Sequence, residues 1–407
     1  MPTTPEIATN AAPISQRYLN FQDVWKFTRG QGVKVAVIDT GVSAHPRLSL
    51  TAGGDYVGGA NGLEDCDAHG TIVAGIIAGK DTGHGFAGVA PDASIITLRA
   101  QSAAYELKGT QHREAGEPAK GYGPLGALGA AIVHAVNIGA AVVNVSLTYC
   151  SPSSKPMRDD GIGAAVKYAY QRNVVVVAAS GNRDGDCQSG NDNIVDPVHP
   201  DKSPWDNVTL NVSPARFSDY VLAVGSVSPK TGQPSTFTVP GPWVGVAAPG
   251  EEIVSLDPNS SGLTSRKGPD DKGNTVGFQG TSFAAPYVSG LAALVRARYP
   301  HLTAGEVIKR IEQTAHAPGG GWNPYVGYGI VDPLAAVTAD LAADMPNPGV
   351  GGIKTDKPYS YQLPIPAPEP APDHRPRNAA LVAAGAILLA LILGLLAVNP
   401  LNRKPPE

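Results

Sequence analysis

The sequence predicts an α/β protein with a doubly wound parallel sheet, helices on both of its faces, and one C-terminal transmembrane helix. Uninterrupted apolar runs recur along the chain, and such runs are typical of strands buried on both faces. Helix-like segments rich in small residues alternate with these runs, which is the pattern of a parallel sheet. A last apolar segment without a charged residue predicts the membrane helix.

The predicted strands and helices can be read off in chain order. The strands are VKVAVI (Val33–Ile38), SIITL (Ser94–Leu98), AAVVNVSL (Ala140–Leu147), NVVVVAAS (Asn173–Ser180) and YVLAVGSV (Tyr220–Val227). The helices are HGTIVAGIIAG (His69–Gly79), LGALGAAIVHAVNIG (Leu125–Gly139), GIGAAVKYAYQRN (Gly161–Asn173) and the small-residue run GTSFAAPYVSGLAALV (Gly280–Val295).

Composition divides the chain into five parts. Residues 1–24 form a polar N-terminal extension, and residues 25–341 form the globular domain. Residues 342–378 are rich in proline and predict a semi-rigid linker of polyproline II type. Residues 379–398 are the predicted membrane helix, and residues 399–407 form a short tail. The net charge of −4 gives no basis for binding nucleic acid.

The C-terminal apolar segment bears on where the protein resides. Ala379–Val398 has twenty residues without a charge, enough for a helix to cross a bilayer core of about 30 Å. A buried core helix is the alternative, but no further domain follows to bury it. Two basic residues flank the segment on each side, so positive charge does not orient it. The start lacks a signal-peptide pattern, so either the main domain is cytoplasmic or an export signal lies upstream of Met1.

Three polar residues stand where a parallel sheet binds its ligands, outside the C-terminal ends of the strands. Asp39 follows the first strand directly, where it can orient a histidine, and His69 and Ser282 each open a small-residue helix. Asp39 could instead cap a loop, or serve a phosphatase, although that pattern lacks its second aspartate. DTG recurs at Asp81, but the two copies are too close together for the paired lobes of an aspartic protease.

The chain order Asp39, His69, Ser282 favours a Ser-His-Asp triad. Histidine in the first turn of a helix is held rigidly, although alone it could also be a core or surface residue. Ser282 lies at a helix N-terminus, where backbone N–H groups can stabilise an oxyanion. Asn182 ends a strand and offers the side-chain amide that completes such a hole. This order, without a GxSxG sequence, is that of subtilisin and not of chymotrypsin or the α/β-hydrolases.

The motifs VAVIDTGV, HGTIVAGIIAG, SGN and GTSFAAPYVSG resemble the signatures of the subtilisin-like serine proteases over residues 25–334. The resemblance implies a subtilisin-like fold and serine endopeptidase activity without a cofactor. Asp39, His69 and Ser282 would then be the catalytic residues. Asn182 and the Ser282 N–H group would form the oxyanion hole.

The sequence NVSL resembles the substrate-pairing strand of the same family. The resemblance implies that Asn144, Ser146 and Leu147 bind substrate, together with Gly181 beside the oxyanion hole. Thr148 stands where the family usually has glycine. A side chain at that position predicts a narrowed cleft and a restricted range of substrates.

A narrower resemblance is to the mycosins, the membrane-anchored subtilases of mycobacterial type VII secretion systems. It is carried by DCDAHGT (Asp65–Thr71), HPRL (His45–Leu48), VNVSL, the proline-rich linker and the C-terminal span. It implies a single-pass protein of the inner cell membrane with an extracytoplasmic protease domain. The implied partners are membrane lipid, secreted protein or peptide substrates, and subunits of the secretion membrane complex. The family's signal peptide and most of its N-terminal extension are missing, which predicts a natural start upstream of Met1.

Two functions from different classes stay open at this point. One is a processing endoprotease, and the other is a mainly structural subunit whose catalysis is dispensable. No acidic cluster has EF-hand spacing and no His/Cys group has zinc spacing, so no metal site is predicted. An irregular calcium site stays open.

The three cysteines predict one disulfide. Cys150 and Cys187 lie beyond the C-terminal ends of consecutive strands that are separated by one crossover helix. Such strands are usually neighbours, so we expect a Cys150–Cys187 bridge. The alternative is two free thiols in a reduced cytoplasmic domain. Cys66 is left over, and its partner is expected in the missing N-terminal extension.

Overall fold

The computed structural model describes residues 3–5, 11–83, 85–106, 122–196, 198–199, 202–268, 273–341 and 375–398. The chain divides into two compact units, residues 1–363 and residues 364–407. The described strands are β1 (Thr3–Pro5), β2 (Lys34–Asp39), β3 (Leu50–Asp55), β4 (Ser94–Arg99), β5 (Val142–Val145), β6 (Tyr149–Pro152), β7 (Val175–Ala179), β8 (Leu210–Ser213), β9 (Val221–Val227), β10 (Val244–Pro249), β11 (Ser255–Leu256) and β12 (Leu263–Lys267). The described helices are α1 (Ile14–Leu19), α2 (His69–Ala78), α3 (Leu125–Asn137), α4 (Asp160–Gln171), α5 (Thr281–Arg298), α6 (Ala304–Gln313), α7 (Pro333–Thr338) and α8 (Arg375–Val398).

Seven of the described strands form one parallel sheet in the order β10-β9-β7-β5-β2-β4-β3. The chain enters at β2, fills one side with β3 and β4, and then crosses to β5 to fill the other side. The winding direction therefore changes between the neighbours β2 and β5. A crevice for ligands forms outside the C-terminal ends of two such strands. Asp39 is the last residue of β2, and Ser146 follows β5.

Helices cover both faces of this sheet, as the sequence predicts. Val35 and Val37 of β2 point into one core with α2, α5, α6 and α7. Ala36 and Ile38, the alternate residues, point into a second core with α3 and α4. Both faces are thus buried, which explains why the central strands are apolar without alternation.

The five predicted strands of the main sheet are all present, and the two outermost strands were not predicted. β3 has exposed and half-buried residues and contains Gly53 and Gly54, so it has no apolar run. β10 is apolar and buried, but it contains Gly245 and ends at Pro249. Glycine and proline both weaken the pattern of a strand, so the composition of these two strands carries a weaker signal.

The N-terminal segment contributes to the core of the first unit. Phe21 and Val24 are fully buried in the core that holds α2 and α5. The Ser15 hydroxyl accepts a hydrogen bond of 2.8 Å from Tyr287 of α5, and Gln16 Nε2 donates to the Ala87 carbonyl at 2.7 Å. Residues of the predicted N-terminal extension therefore support α5 directly.

The predicted membrane helix Ala379–Val398 falls within α8, Arg375–Val398. Within the residues that the structure describes, no helix combines the length and the hydropathy that a membrane crossing needs.

The structure contains the predicted disulfide between Cys150 and Cys187, whose Cα atoms are 5.1 Å apart. Cys150 lies on β6, just after β5, and Cys187 ends a short 3-10 turn after β7. Because β5 and β7 are paired neighbours, the two segments leave the sheet side by side. Cys66 is half-buried, and an upstream partner for it stays a prediction.

Removing this bridge is expected to destabilise the domain strongly. The two cysteines are 37 residues apart in sequence, and closing a loop of that length stabilises by about 4 kcal/mol in the chain-entropy model. The double variant Cys150→Ser/Cys187→Ser should therefore unfold at a clearly lower urea concentration. Dithiothreitol should lower the midpoint of the natural chain and leave that of the double variant unchanged. Equal midpoints for the two oxidised proteins would contradict a stabilising bridge.

Candidate active site

Asp39 lies at the C-terminal end of the central strand and is fully buried. Its Oδ1 atom accepts a hydrogen bond of 2.8 Å from the backbone N–H of Thr40 and lies 2.6 Å from His69 Nδ1. Its Oδ2 atom is buried and has no hydrogen-bond partner among the residues described. The carboxylate is thus directed at the imidazole through a single oxygen.

His69 is the first residue of α2, and its ring packs 5.0 Å from the ring of Phe283, centroid to centroid. Burial alone lowers the pKa of His69, but the charge and hydrogen bond of Asp39 outweigh it, so the pKa lies above its ordinary value. The Asp39 contact also implies that Nδ1 carries a proton, which leaves Nε2 of the neutral ring as the acceptor.

Ser282 is the second residue of α5, and α5 is buried from Thr281 to Arg296. Its backbone carbonyl accepts a hydrogen bond of 2.8 Å from the Ser146 hydroxyl, which ties the first turn of α5 to the end of β5. Phe283, the next residue, lies against the His69 ring. The start of α5 is therefore fixed beside both the sheet and the histidine.

Asn182 follows β7, and its side-chain orientation is set by Thr281. Asn182 Oδ1 accepts hydrogen bonds from the Thr281 N–H at 2.9 Å and from the Thr281 hydroxyl at 3.0 Å. Because the oxygen faces two donors, the amide cannot be flipped, and Nδ2 must face the other way. An amide N–H donor is thereby presented beside Ser282.

Gly280 shows that this amide and the Ser282 hydroxyl converge. A Cβ atom on Gly280 would lie 3.0 Å from Ser282 Oγ and 3.2 Å from Asn182 Nδ2. One point in space is therefore within hydrogen-bond distance of both groups. Gly280 also has φ +152° and ψ 155°, a conformation available essentially only to glycine.

The residues predicted to bind substrate divide into two groups. Asn144 and Ser146 are buried, and their side chains form a chain of hydrogen bonds to α5. Ser289 donates to Asn144 at 2.8 Å, Asn144 donates to Ser146 at 2.9 Å, and Ser146 donates to the Ser282 carbonyl. Their side chains are thus used to hold the helix, and a substrate could pair only with their backbone.

The other group consists of Leu147 and Gly181, which are both buried as well. Leu147 is buried, whereas the following Thr148 is half-buried. Gly181 has φ +103° and donates its N–H to the Thr281 hydroxyl at 3.2 Å. The effect of Thr148 on the cleft stays a prediction.

Sequence reasoning missed the residues that orient the site. Thr281 fixes the side-chain orientation of Asn182. The Thr40 hydroxyl donates a hydrogen bond to Asp65 next to the Asp39–His69 pair. Thr281 and Asp65 lie inside the GTS and DCDAHGT motifs, so a signal existed, but their partners are distant in sequence. Among the described residues, no group of three or more His, Cys, Asp or Glu side chains could hold a metal ion.

The family model that describes the subtilase family, Peptidase S8, matches residues 30–329. The chain belongs to the subtilase family. This subtilase is accordingly a serine protease, with the α/β fold that the sequence predicts.

Curated relatives and solved structures are similar to this subtilase over most of its length. Mycosin-1 of Mycobacterium tuberculosis is 45% identical over 413 residues, which cover 99% of this chain and 89% of that protein. The crystal structure of MycP1 from Mycobacterium smegmatis has a TM-score of 0.77 at 42% identity and covers 84% of this chain and 88% of its own. A chain of the periplasmic assembly from the ESX-5 inner membrane complex has a TM-score of 0.77 at 39% identity. The match covers 91% of this chain and 92% of that chain.

Gly280→Ala is expected to lower the reactivity of Ser282 more than it lowers the stability of the fold. The added Cβ atom would meet Ser282 Oγ and Asn182 Nδ2 at contact distance in a backbone conformation that alanine avoids. A displacement of this size should slow labelling by a fluorophosphonate probe at least about tenfold. Gly126→Ala is the matched control, because a Cβ on Gly126 of α3 meets nothing within 4 Å. Unchanged labelling of Gly280→Ala would show that the point next to Gly280 is not part of the reactive site.

Proposed function

We propose that this subtilase cleaves peptide bonds with Asp39, His69 and Ser282 as its triad, and that it acts in a type VII secretion membrane complex. The observation that carries the catalytic part is the His69–Asp39 contact of 2.6 Å beside the start of α5, where Ser282 and Asn182 converge. These side chains come from four separate segments of the chain, and the fold places them on one edge of one sheet.

The reaction would begin with attack of Ser282 Oγ on the carbonyl carbon of the scissile peptide bond. His69 Nε2 takes the hydroxyl proton, while Nδ1–H donates to Asp39 Oδ1 and keeps the ring in the required tautomer. The imidazolium that forms is stabilised by the buried Asp39 carboxylate. The same interaction raises the pKa of His69, so the ring accepts the serine proton more readily.

The tetrahedral intermediate places a negative charge on the former carbonyl oxygen. Asn182 Nδ2 and the backbone N–H of Ser282 are the donors that would hold this oxyanion. Each such donor is worth roughly 3–4 kcal/mol of transition-state stabilisation. His69 then donates its proton to the leaving amine as the scissile C–N bond breaks, which leaves an acyl group on Ser282 Oγ. In the second half of the reaction, His69 takes a proton from a water molecule that attacks the acyl carbon, and it returns this proton to Ser282 Oγ as the ester bond breaks and the acid is released.

The substrate would lie along the backbone of Ser146–Thr148 at the end of β5, with Gly181 on the opposite side. Buried side chains at Asn144 and Ser146 leave their peptide groups as the recognition surface. Thr148 would then limit the size of the substrate residue that fits next to it. We assign the peptidase activity to residues 25–341, with residues 1–24 as an extension and residues 342–378 as a linker.

Two observations support a position at the membrane on the extracytoplasmic side. The Cys150–Cys187 disulfide is of a kind that persists in oxidising compartments and is rare in a reduced cytoplasm. In α8, apolar side chains between Val382 and Leu395 are exposed, and lipid is the solvent that would cover them. We propose that residues 379–398 anchor the protein to the inner membrane, with residues 399–407 as a tail.

The proposed partners follow from the relatives. A similar chain belongs to the periplasmic assembly of the ESX-5 inner membrane complex, so subunits of such a complex are the proposed partners of this protein. The same likeness supports a second candidate function, in which the chain mainly stabilises the complex. Secreted proteins would be the substrates in the first case, and catalysis would be dispensable in the second.

Ser282→Ala is expected to abolish labelling by a fluorophosphonate probe without unfolding the protein. Without the hydroxyl, no phosphonyl–oxygen bond can form, and only the weak residual effects of the oxyanion hole and binding are left. Thermal melting of both full-length chains in detergent checks the fold. Equal labelling of the variant and the natural chain would overturn the assignment of Ser282.

The same variant separates the two candidate functions. Secretion complexes would be purified from cells that carry either chain, and their size and secreted products compared. An intact complex with uncleaved secreted proteins supports processing as the main role. An intact complex with normal products supports the structural role.

Truncation after Leu341 is expected to convert a membrane-bound protein into a soluble one. The full chain should sediment with membranes and resist carbonate extraction, because a helix of apolar residues must be removed from lipid to release it. The truncated chain should remain in the supernatant and keep its probe labelling. Sedimentation of the truncated chain with membranes would show that another surface anchors the protein.

A further inference from the structure

Asp65 is a buried carboxylate next to the proposed triad. The proposed reaction does not use this carboxylate. It lies four residues before His69, in the segment between β3 and α2, and only 9% of its surface is exposed. A carboxylate in such a position needs hydrogen-bond donors to be tolerated. The hydrogen-bond donors to Asp65 lie on the two segments that carry Asp39 and His69, so the carboxylate connects these segments.

Four hydrogen bonds converge on the Asp65 carboxylate. Oδ1 accepts from the Thr40 hydroxyl at 2.8 Å and from the Asp67 N–H at 3.1 Å. Oδ2 accepts from the Thr71 N–H at 2.8 Å and from the Thr71 hydroxyl at 2.6 Å. Thr40 directly follows Asp39 at the end of β2, and Thr71 lies in the first turn of α2.

The hydroxyl oxygens of Thr40 and Thr71 each also accept a hydrogen bond from a backbone N–H of the other segment. Thr40 Oγ1 accepts the N–H of Gly70 at 3.0 Å, so the loop after β2 holds the first turn of α2. Thr71 Oγ1 accepts the N–H of Ser43 at 2.9 Å, so the first turn of α2 holds the loop. A hydroxyl has one proton, and its donation to Asp65 directs the lone pairs towards these two N–H groups.

The two segments approach each other too closely for any wider side chain. A Cβ atom on Gly70 would collide with the carbonyl oxygen of Gly41 and lie 3.1 Å from Asp39 Cβ. Asp39 and His69, the residues next to this contact, therefore depend on its exact packing for their 2.6 Å hydrogen bond.

We propose that Asp65 is a positioning residue, which locks the loop after β2 to the first turn of α2 and so sets the geometry of the His69–Asp39 hydrogen bond. The inference rests on the proposed triad, since it concerns how two of its members are aligned. Asp65 acts through Thr40 and Thr71 and does not touch the reacting atoms.

The charge of Asp65 gives this role a signature that a purely structural residue lacks. Burial raises the pKa of Asp65 to about 6, against the opposing hydrogen bonds from Thr71 and Thr40. The charged groups that face His69 are Asp39 at the end of β2, Asp65, and Lys267 at the end of β12. An ionised Asp65 favours the imidazolium, so removing its charge lowers the pKa of His69.

Asp65→Asn tests the proposal in the full-length chain in detergent, with a fluorophosphonate as the probe. The asparagine keeps the shape, but its NH₂ group faces donors at Thr71, so the network is broken. We expect the maximal labelling rate to fall about 10- to 100-fold with the half-saturating probe concentration unchanged. The acid limb of the rate profile should move to lower pH, because the His69 pKa falls.

Asp159→Asn is the matched control. Asp159 is a buried carboxylate with a pKa raised by burial, and it accepts two hydrogen bonds from Arg216, at 2.9 and 2.7 Å. It precedes α4 on the opposite face of the sheet. This variant should lower the melting temperature while its maximal labelling rate and acid limb match those of the natural chain.

A second pair of variants keeps the test decisive if Asp65→Asn does not fold. Thr71→Val removes the hydroxyl and should slow labelling, whereas Thr71→Ser keeps it and should restore the natural rate. The proposal is overturned if Asp65→Asn labels with natural rate and acid limb, if Asp159→Asn reproduces both changes, or if the two Thr71 variants behave alike. Labelling of Ser282→Ala would instead overturn the triad itself.

Discussion

The rest of the site depends on how the start of α5 is fixed at the C-terminal edge of the sheet. The helix is buried from Thr281 to Arg296, so it cannot shift without disrupting the core. The Ser146 hydroxyl holds its first turn from the end of β5. Asn182 and Gly181 hold Thr281 from the end of β7. The position of Ser282 is thus set by two neighbouring strands.

The half of the proposed site that contains Asp39 and His69 is assembled separately. Asp39 is held by β2 and His69 by α2, and Thr40, Asp65 and Thr71 connect the two. Packing of α2 against α5 in one core then brings the two halves together, with the Phe283 ring against His69 as the contact nearest to the site. Two rigid halves that meet through a close-packed core can keep a geometry that neither could keep alone.

Much of this arrangement could be predicted from the sequence, because burial leaves a strong pattern. Strands covered on both faces appear as apolar runs, and the Asp39, His69 and Ser282 motifs stand at the ends or starts of such elements. The edge strands β3 and β10 leave weaker patterns, since β3 is partly exposed and contains two glycines, and β10 contains both a glycine and a proline. The disulfide was predictable because β5 and β7 are consecutive crossover strands and therefore neighbours.

The supporting hydrogen bonds could not be predicted in the same way. Gly181 and Thr281 are 100 residues apart, and Ser146 and Ser282 are 136 residues apart. Such pairs depend on the register of strands and the placement of a helix over a sheet, which apolar periodicity does not encode. For the same reason, the sequence does not reveal that the side chains of Asn144 and Ser146 hydrogen-bond towards α5, which leaves only their backbone for the predicted pairing with substrate.

The burial of α5 also determines the order in which the proposed site residues reach their places while the chain is being synthesised. Asp39 and His69 are 30 residues apart and emerge early, whereas the described strands of the main sheet all precede α5 along the chain. The helix has no stable place until that sheet exists to cover it, and chains are made and begin to fold from the N-terminus. Ser282, the proposed nucleophile, is therefore the last of the proposed triad residues to reach its place. With the proposed roles, an unfinished chain carries Asp39 and His69 without Ser282, so it cannot cleave peptide bonds while it is being made.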